Sequence, residues 1–203
     1  EATHLVAQWS EVFAVERAST SVVSDLLSLR AEMSNHMVDS STVREENQRL
    51  CEELIGLPKA PRARSEFTKE MQDFLNVCHY RDQLLDLIDQ FDARMRDMGY
   101  LDFGQQMAYA AGLACAHPQV GESERAHYRV VLLDEYQDTG YAQRIFLRSL
   151  FGEGQDPTLS VTAVGDPMQS IYARPGATAT NQAPFPTEKP TEPPPSATEK
   201  NNL

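Results

Sequence analysis

The chain has 203 residues, 41% of them hydrophobic, enough for one ordinary domain or two small ones with a buried core. Its net charge of −12 argues against strong sequence-independent affinity for nucleic acid, which depends on Lys and Arg neutralising phosphates. No run approaches the about 20 apolar residues that cross a bilayer, and no signal-like segment opens the chain. The three cysteines (Cys51, Cys78, Cys115) and five histidines are scattered without metal-ligand spacing, so the expectation is a cytoplasmic protein with reduced thiols and no membrane association.

Residues 1–18 keep no clean hydrophobic period and are read as helix or loop. From Ser19 or Thr20, Val22, Val23, Leu26, Leu29, Met33 and Met37 recur every three or four positions and predict a helix with one apolar stripe. A second helix is expected near Thr42, with Thr42 and Glu45 as a capping box, Val43, Leu50, Cys51 and Leu54 turned inward, and Gly56 at its end. Pro58 and Pro61 keep the next residues non-helical. Lys59, Arg62, Arg64 and Lys69 form the basic cluster there, read as a solvated loop in preference to a DNA-backbone contact.

A long helix is predicted from near Glu66 to Met98, with Phe67, Met71, Phe74, Cys78, Leu85, Ile88, Met95 and Met98 on one face and Gly99 just past its end. Asp102 is the expected N-cap of the next helix, with Phe103 as an aromatic anchor and Met107, Ala111 and Ala114 inside. His117-Pro118 ends it, and a short helix is expected over Glu122 to His127. Val130 to Leu133 then predicts a strand buried on both faces, as in a parallel sheet covered by helices. Tyr141 to Phe151 predicts a helix closed by Gly152, and Leu159 to Val164 a second strand, joined to the first by a right-handed crossover. From Asn181 the composition shifts to Pro, Thr, Glu, Lys and Ser, predicting a disordered or extended tail.

Asp134 and Glu135 stand at the carboxyl end of the first strand, the edge at which open α/β sheets bind ligands. Such a pair suits a metal-bound phosphate, one carboxylate holding Mg²⁺ and the other orienting or deprotonating water, although an acidic turn after an apolar strand is often only a solvated loop. The longer context is more specific. Asp134-Glu-Tyr-Gln-Asp-Thr139, followed after one helix and one strand by Gly165-Asp-Pro-Met-Gln-Ser-Ile-Tyr172, resembles motifs II and III of the UvrD/Rep family of superfamily 1 DNA helicases. Leu101-Asp-Phe103 is similar to the family's return from a helical insertion to the ATPase core.

The resemblance implies an α/β fold: an incomplete RecA-like P-loop NTPase core with a parallel sheet, preceded by an all-α insertion. Residues 1–100 would be the insertion, 101–180 part of the ATPase domain and 181–203 the Pro-rich tail. It implies ATP and Mg²⁺ as cofactors, with Asp134 as the Walker B magnesium ligand, Glu135 as general base and Gln169 as γ-phosphate sensor. Tyr172 would contact single-stranded DNA, and Tyr136, Gln137, Asp138 and Thr139 would support the loop. The implied activity is ATP-dependent 3′–5′ unwinding of single-stranded or partly duplex DNA, with nuclease or repair partners.

The sequence also departs from the family. No G-x-x-x-x-G-K-[ST] occurs, so the loop that cradles phosphates is not among these residues, and the chain is read as an internal helicase piece of marginal stability by itself. Arg174 stands where the family has an aromatic residue, and Pro175 where it has an arginine. The alternative is a non-catalytic remnant acting at most as a helical interaction module.

Overall fold

The computed structural model describes residues 2–9, 19–58, 67–152 and 156–166. The expectations for the basic residues Lys59, Arg62 and Arg64, for Gln169, Tyr172, Arg174 and Pro175, and for the tail fall outside these residues. The described chain is mostly helical with a small two-stranded parallel sheet, and it divides into two compact units, 1–30 with 39–101 and 31–38 with 102–203.

The first unit is all helical. It holds α1 (Ala2–Trp9), the first two-thirds of α2 (Ser19–His36), α3 (Ser40–Ile55) and α4 (Lys69–Asp97). Leu5, Leu26, Leu85 and Ile88 are sealed from solvent, with Val22, Cys78, Leu84, Leu87 and Phe91 around them. The periodicity of α2 is borne out at Val22, Leu26 and Met33. On α4 the buried face is centred on Leu84 to Phe91 rather than on the full predicted stripe: Phe74 and Met98 are exposed, because the ends of this 29-residue helix run past the helices that cover its middle.

α3 begins two residues before the expected start. Asp39, not Thr42, is the N-cap: its carboxylate accepts the Thr42 backbone N–H at 2.8 Å and the hydroxyls of Ser41 and Thr42. A charged acceptor ahead of a run of hydroxyls takes the capping position, so the Thr42–Glu45 box does not form. The predicted inner face of α3 has the right phase, but its fully buried member is Asn47, one turn from both Val43 and Cys51. Asn47 is tolerated because its amide is satisfied: it donates to Asp82 at 2.7 Å and accepts from Arg81 at 2.6 Å.

The second unit contains α5 (Phe103–Ala116), α6 (Pro118–His127), β1 (Val130–Leu133), α7 (Tyr141–Phe151) and β2 (Ser160–Ala163). Asp102 caps α5 as expected, accepting the Gln105 N–H at 2.8 Å, but Phe103 is 88% exposed and anchors nothing among the described residues. Pro118 does not separate α5 from a loop; it opens α6 at the first helical position, where a missing N–H costs nothing. Small residues on α5 and α7, Ala111, Ala114 and Ala142, are buried and let these helices approach closely. α6 packs on α7 through Gly121, whose absent side chain leaves room for the Ser149 carbonyl, and through buried Arg125, which donates to the Leu150 carbonyl at 2.5 Å. That cation also opposes the negative end of the α7 dipole.

β1 and β2 are parallel, with Val130 opposite Ser160 and Leu133 opposite Ala163. Arg129 fixes the entry to β2: its guanidinium reaches Asp156 and Thr158, both at 2.7 Å. The expectation that β1 is buried on both faces is not met. Val130 is 63% and Leu132 75% exposed, while Val131 and Leu133 are half-buried, because the helices described here cover one side of this pair of strands.

Candidate functional site

The carboxyl ends of β1 and β2 finish level with each other, and the chain that follows each strand is fastened to the other. The Val164 N–H donates to the Leu133 carbonyl at 2.8 Å, and the Tyr136 N–H returns the contact to the Val164 carbonyl at 2.9 Å. Asp134 and Glu135 occupy the exposed step between these two bonds. Asp134 Oδ1 accepts the Glu135 N–H at 2.9 Å, which fixes the carboxylate against the backbone. Its other oxygen has no hydrogen-bond partner among the described residues.

Glu135 has φ 52° and ψ 39°, in the left-handed region, at a cost of about 1–2 kcal/mol for a residue with a side chain. That conformation turns the chain at once from β1 into a 3-10 turn over Tyr136–Asp138, in which Tyr136 and Gln137 are buried and Glu135 stays outside. Local strain held in place by surrounding structure is a recurring property of functional loops.

Gln137 closes the arrangement. It is 4% exposed; its Nε2 donates to Glu135 Oε2 at 2.5 Å, and its Oε1 accepts the Asp166 backbone N–H at 3.0 Å. Gly165 lies against the same amide. A Cβ at Gly165 would stand 2.3 Å from Gln137 Oε1 and 3.0 Å from the Gln137 backbone nitrogen, so the two loops meet at a spacing only glycine allows.

The structure thus brings together Asp134 and Glu135 at the strand edge, beside the turn that leads to the second motif. Gln169 and Tyr172 lie outside the described residues. The sequence reading missed the reach of Gln137, assigned there only to loop support; a buried amide two residues from an exposed carboxylate carries no periodic signal. Among the described residues no group of three or more His, Cys, Asp or Glu is placed to hold a metal ion, and no helix is long and apolar enough to cross a membrane.

An open groove of about 580 Å³ lies between α3 and α4, lined by Arg44, Asn47, Cys51, Cys78 and Asp82 among others. Its polar groups are spent on one another: Arg44 pairs with Asp86 at 2.7 Å and Asp89 at 3.0 Å, and Asn47 with Asp82 and Arg81. The strand edge, with its outward carboxylates, is the stronger candidate.

Comparison with known proteins places the same residues in context. The UvrD/REP helicase N-terminal domain matches residues 7–190. The ATP-dependent DNA helicase UvrD1 of Mycobacterium leprae is 37% identical over 107 residues, 50% of this chain and 14% of that protein. DNA helicase II of Rickettsia typhi is 32% identical over 95 residues, 47% of this chain and 14% of that protein. An ATP-dependent helicase/nuclease subunit from Staphylococcus epidermidis is 30% identical over 112 residues, 53% of this chain and 9% of that protein. The matched part of the chain therefore spans 14% or less of the length of these relatives.

Proposed function

The chain belongs to the UvrD/REP helicase family, and on that premise we propose that it carries part of the ATP-hydrolysing site of an ATP-dependent 3′–5′ DNA helicase. Residues 1–100 serve as the helical insertion and 101–180 as part of a RecA-like ATPase domain, followed by the Pro-rich, low-complexity residues 181–203, in a cytoplasmic enzyme. The observation that carries this reading is the mutual fastening of the two loops at the level ends of parallel strands, with Asp134 and Glu135 both exposed there.

The donor set suits magnesium: Asp134 offers a hard carboxylate oxygen at an exposed edge, and this ion takes one or two protein carboxylates while keeping several waters. Held there by Asp134, the ion would supply charge neutralisation to a bound nucleotide's phosphates. Glu135 orients the attacking water and accepts its proton. Gln169 reports the γ-phosphate, and Tyr172 stacks on a base of single-stranded DNA. The phosphate cradle is supplied from outside these 203 residues, which contain no P-loop sequence. Relatives named as helicase/nuclease subunits make a nuclease or repair partner the expected company.

The test uses the protein as its host makes it. Glu135→Gln is expected to lower DNA-stimulated ATP hydrolysis by about 10²–10⁴-fold while nucleotide binding survives, as for loss of a general base. Unchanged turnover sinks the assigned role. A second reading, a non-catalytic remnant, is favoured by Pro175 at the family's arginine position. It predicts no turnover at any magnesium concentration and no salt-sensitive binding to single-stranded DNA.

A further inference from the structure

We infer that Gln137 is a positioning residue that ties the direction of the Glu135 carboxylate to the Gly165–Asp166 turn at the end of β2. The amide cannot be reversed. The Asp166 backbone N–H only donates and therefore takes Oε1; the Glu135 carboxylate accepts and therefore takes Nε2. One rigid planar group, itself 4% exposed, thus spans both loops.

The two backbone links beside it, Tyr136 to Val164 and Val164 to Leu133, hold the loops at a fixed distance without touching the Glu135 side chain. Gln137 is the connection that reaches the carboxylate. Glu135 is otherwise exposed and mounted on a strained residue, so a donor from the buried side selects one of its rotamers. Any displacement of the turn at Gly165 moves the Asp166 N–H, then the amide, then the carboxylate. A change at this turn thus reaches the proposed general base through Gln137. That consequence rests on the ATPase reading of Glu135; the bridge itself does not.

The test has two arms. In the protein as its host makes it, selectively labelled with ¹⁵N-aspartate, NMR follows the Asp166 amide in a double-mutant cycle of Glu135→Ala and Gln137→Met. Glu135→Ala is expected to shift the Asp166 resonance in the native background and to leave it unmoved when Gln137 is Met. Equal shifts in both backgrounds, or none in the native one, overturn the bridge.

In the protein as its host makes it, Gln137→Met and Gln137→Glu are compared by steady-state ATPase. Gln137→Glu keeps the acceptor for Asp166 but turns a carboxylate toward Glu135. Both variants are expected to lose about 100-fold in kcat, the scale of an ångström-sized misplacement, with KM for ATP unchanged. Full kcat in Gln137→Glu with the Asp166 amide still protected from exchange makes Gln137 a passive strut and overturns the inference. Glu135→Gln, run alongside, reports separately on the ATPase reading: if its turnover is normal, that reading fails while the NMR cycle still decides the bridge.

Discussion

At position 165 the second loop comes so close to the first that a methyl group has nowhere to go, with Gln137 Oε1 and the backbone nitrogens of Gln137 and Tyr136 all within 3.2 Å of a built Cβ. Two of these atoms are main chain and cannot swing aside. Gly165→Ala is therefore expected to destabilise the protein by about 1–3 kcal/mol, the usual cost of overpacking, measured by urea unfolding. Gly112→Ala is the control. Nothing lies within 4 Å of its Cβ, and alanine in an open helical position is neutral or stabilising by up to about 1 kcal/mol. Equal effects at the two glycines would contradict the close approach. The acidic pair, which alone would read as a solvated turn, could be recognised in the sequence because Asp134-Glu-Tyr-Gln-Asp-Thr139 is followed at one-helix, one-strand spacing by Gly165-Asp-Pro-Met-Gln-Ser-Ile-Tyr172. Gly165 and Gln137 could not, since a turn glycine and a loop glutamine look the same whether or not another loop leans on them.

Helix ends carry two further predictions. Burial works against ionisation of Asp39, but the N–H and hydroxyl of Thr42 and the hydroxyl of Ser41 outweigh it and hold the carboxyl below the ordinary aspartate range. A depressed folded-state pKa means that the cap's contribution is fully present above the unfolded value and is lost as pH falls through the folded one. Thermal midpoints of the native protein should accordingly drop more steeply in acid than those of Asp39→Asn, which keeps an acceptor but does not titrate. Parallel acid profiles would show that the charge contributes nothing.

α4 ends in a Schellman closure. Gly99 has φ 72°, its N–H meets the Arg96 carbonyl and the Tyr100 N–H meets the Met95 carbonyl, both at 2.9 Å. Gly99→Ala should cost about 1–2 kcal/mol in denaturant unfolding, because alanine resists the left-handed region; a neutral result would mean that the end has another conformation available. α2 closes the same way with Met37 at φ 55°, a residue with no special liking for that geometry. This contrast shows what could be read at the element scale. Gly99 announced its helix end, as Asp102 announced a beginning, through local backbone chemistry. Met37 looked like one more apolar position in a stripe, and nothing in its side chain marks a left-handed helix end.

For the molecule as a whole, hydrophobic period foretold α2, α3, α4, α5 and α7 and short apolar runs the two strands to within a few residues, while α1 carried no clean period and α6 starts four residues before its expected beginning; strand–helix–strand spacing foretold the parallel pairing. Burial was less legible. Val130 and Leu132 are as apolar as any core strand, yet they face outward, since sequence records how apolar a segment is and not what lies against it. The same limit applied to α4, whose long apolar stripe is covered only in its middle.

The proposed nucleotide site is the strand edge, where Asp134 and Glu135 are exposed and Gln137 ties Glu135 to the Gly165–Asp166 turn. The most direct test is the rate of ATP hydrolysis by the protein as its host makes it, saturated with single-stranded DNA and magnesium, with Asp134 native or changed to Ala. Loss of a group that stabilises transition-state charge lowers turnover by about 100-fold or more, and that is the predicted result. Equal rates for the two proteins would contradict the assignment of this edge as the nucleotide site.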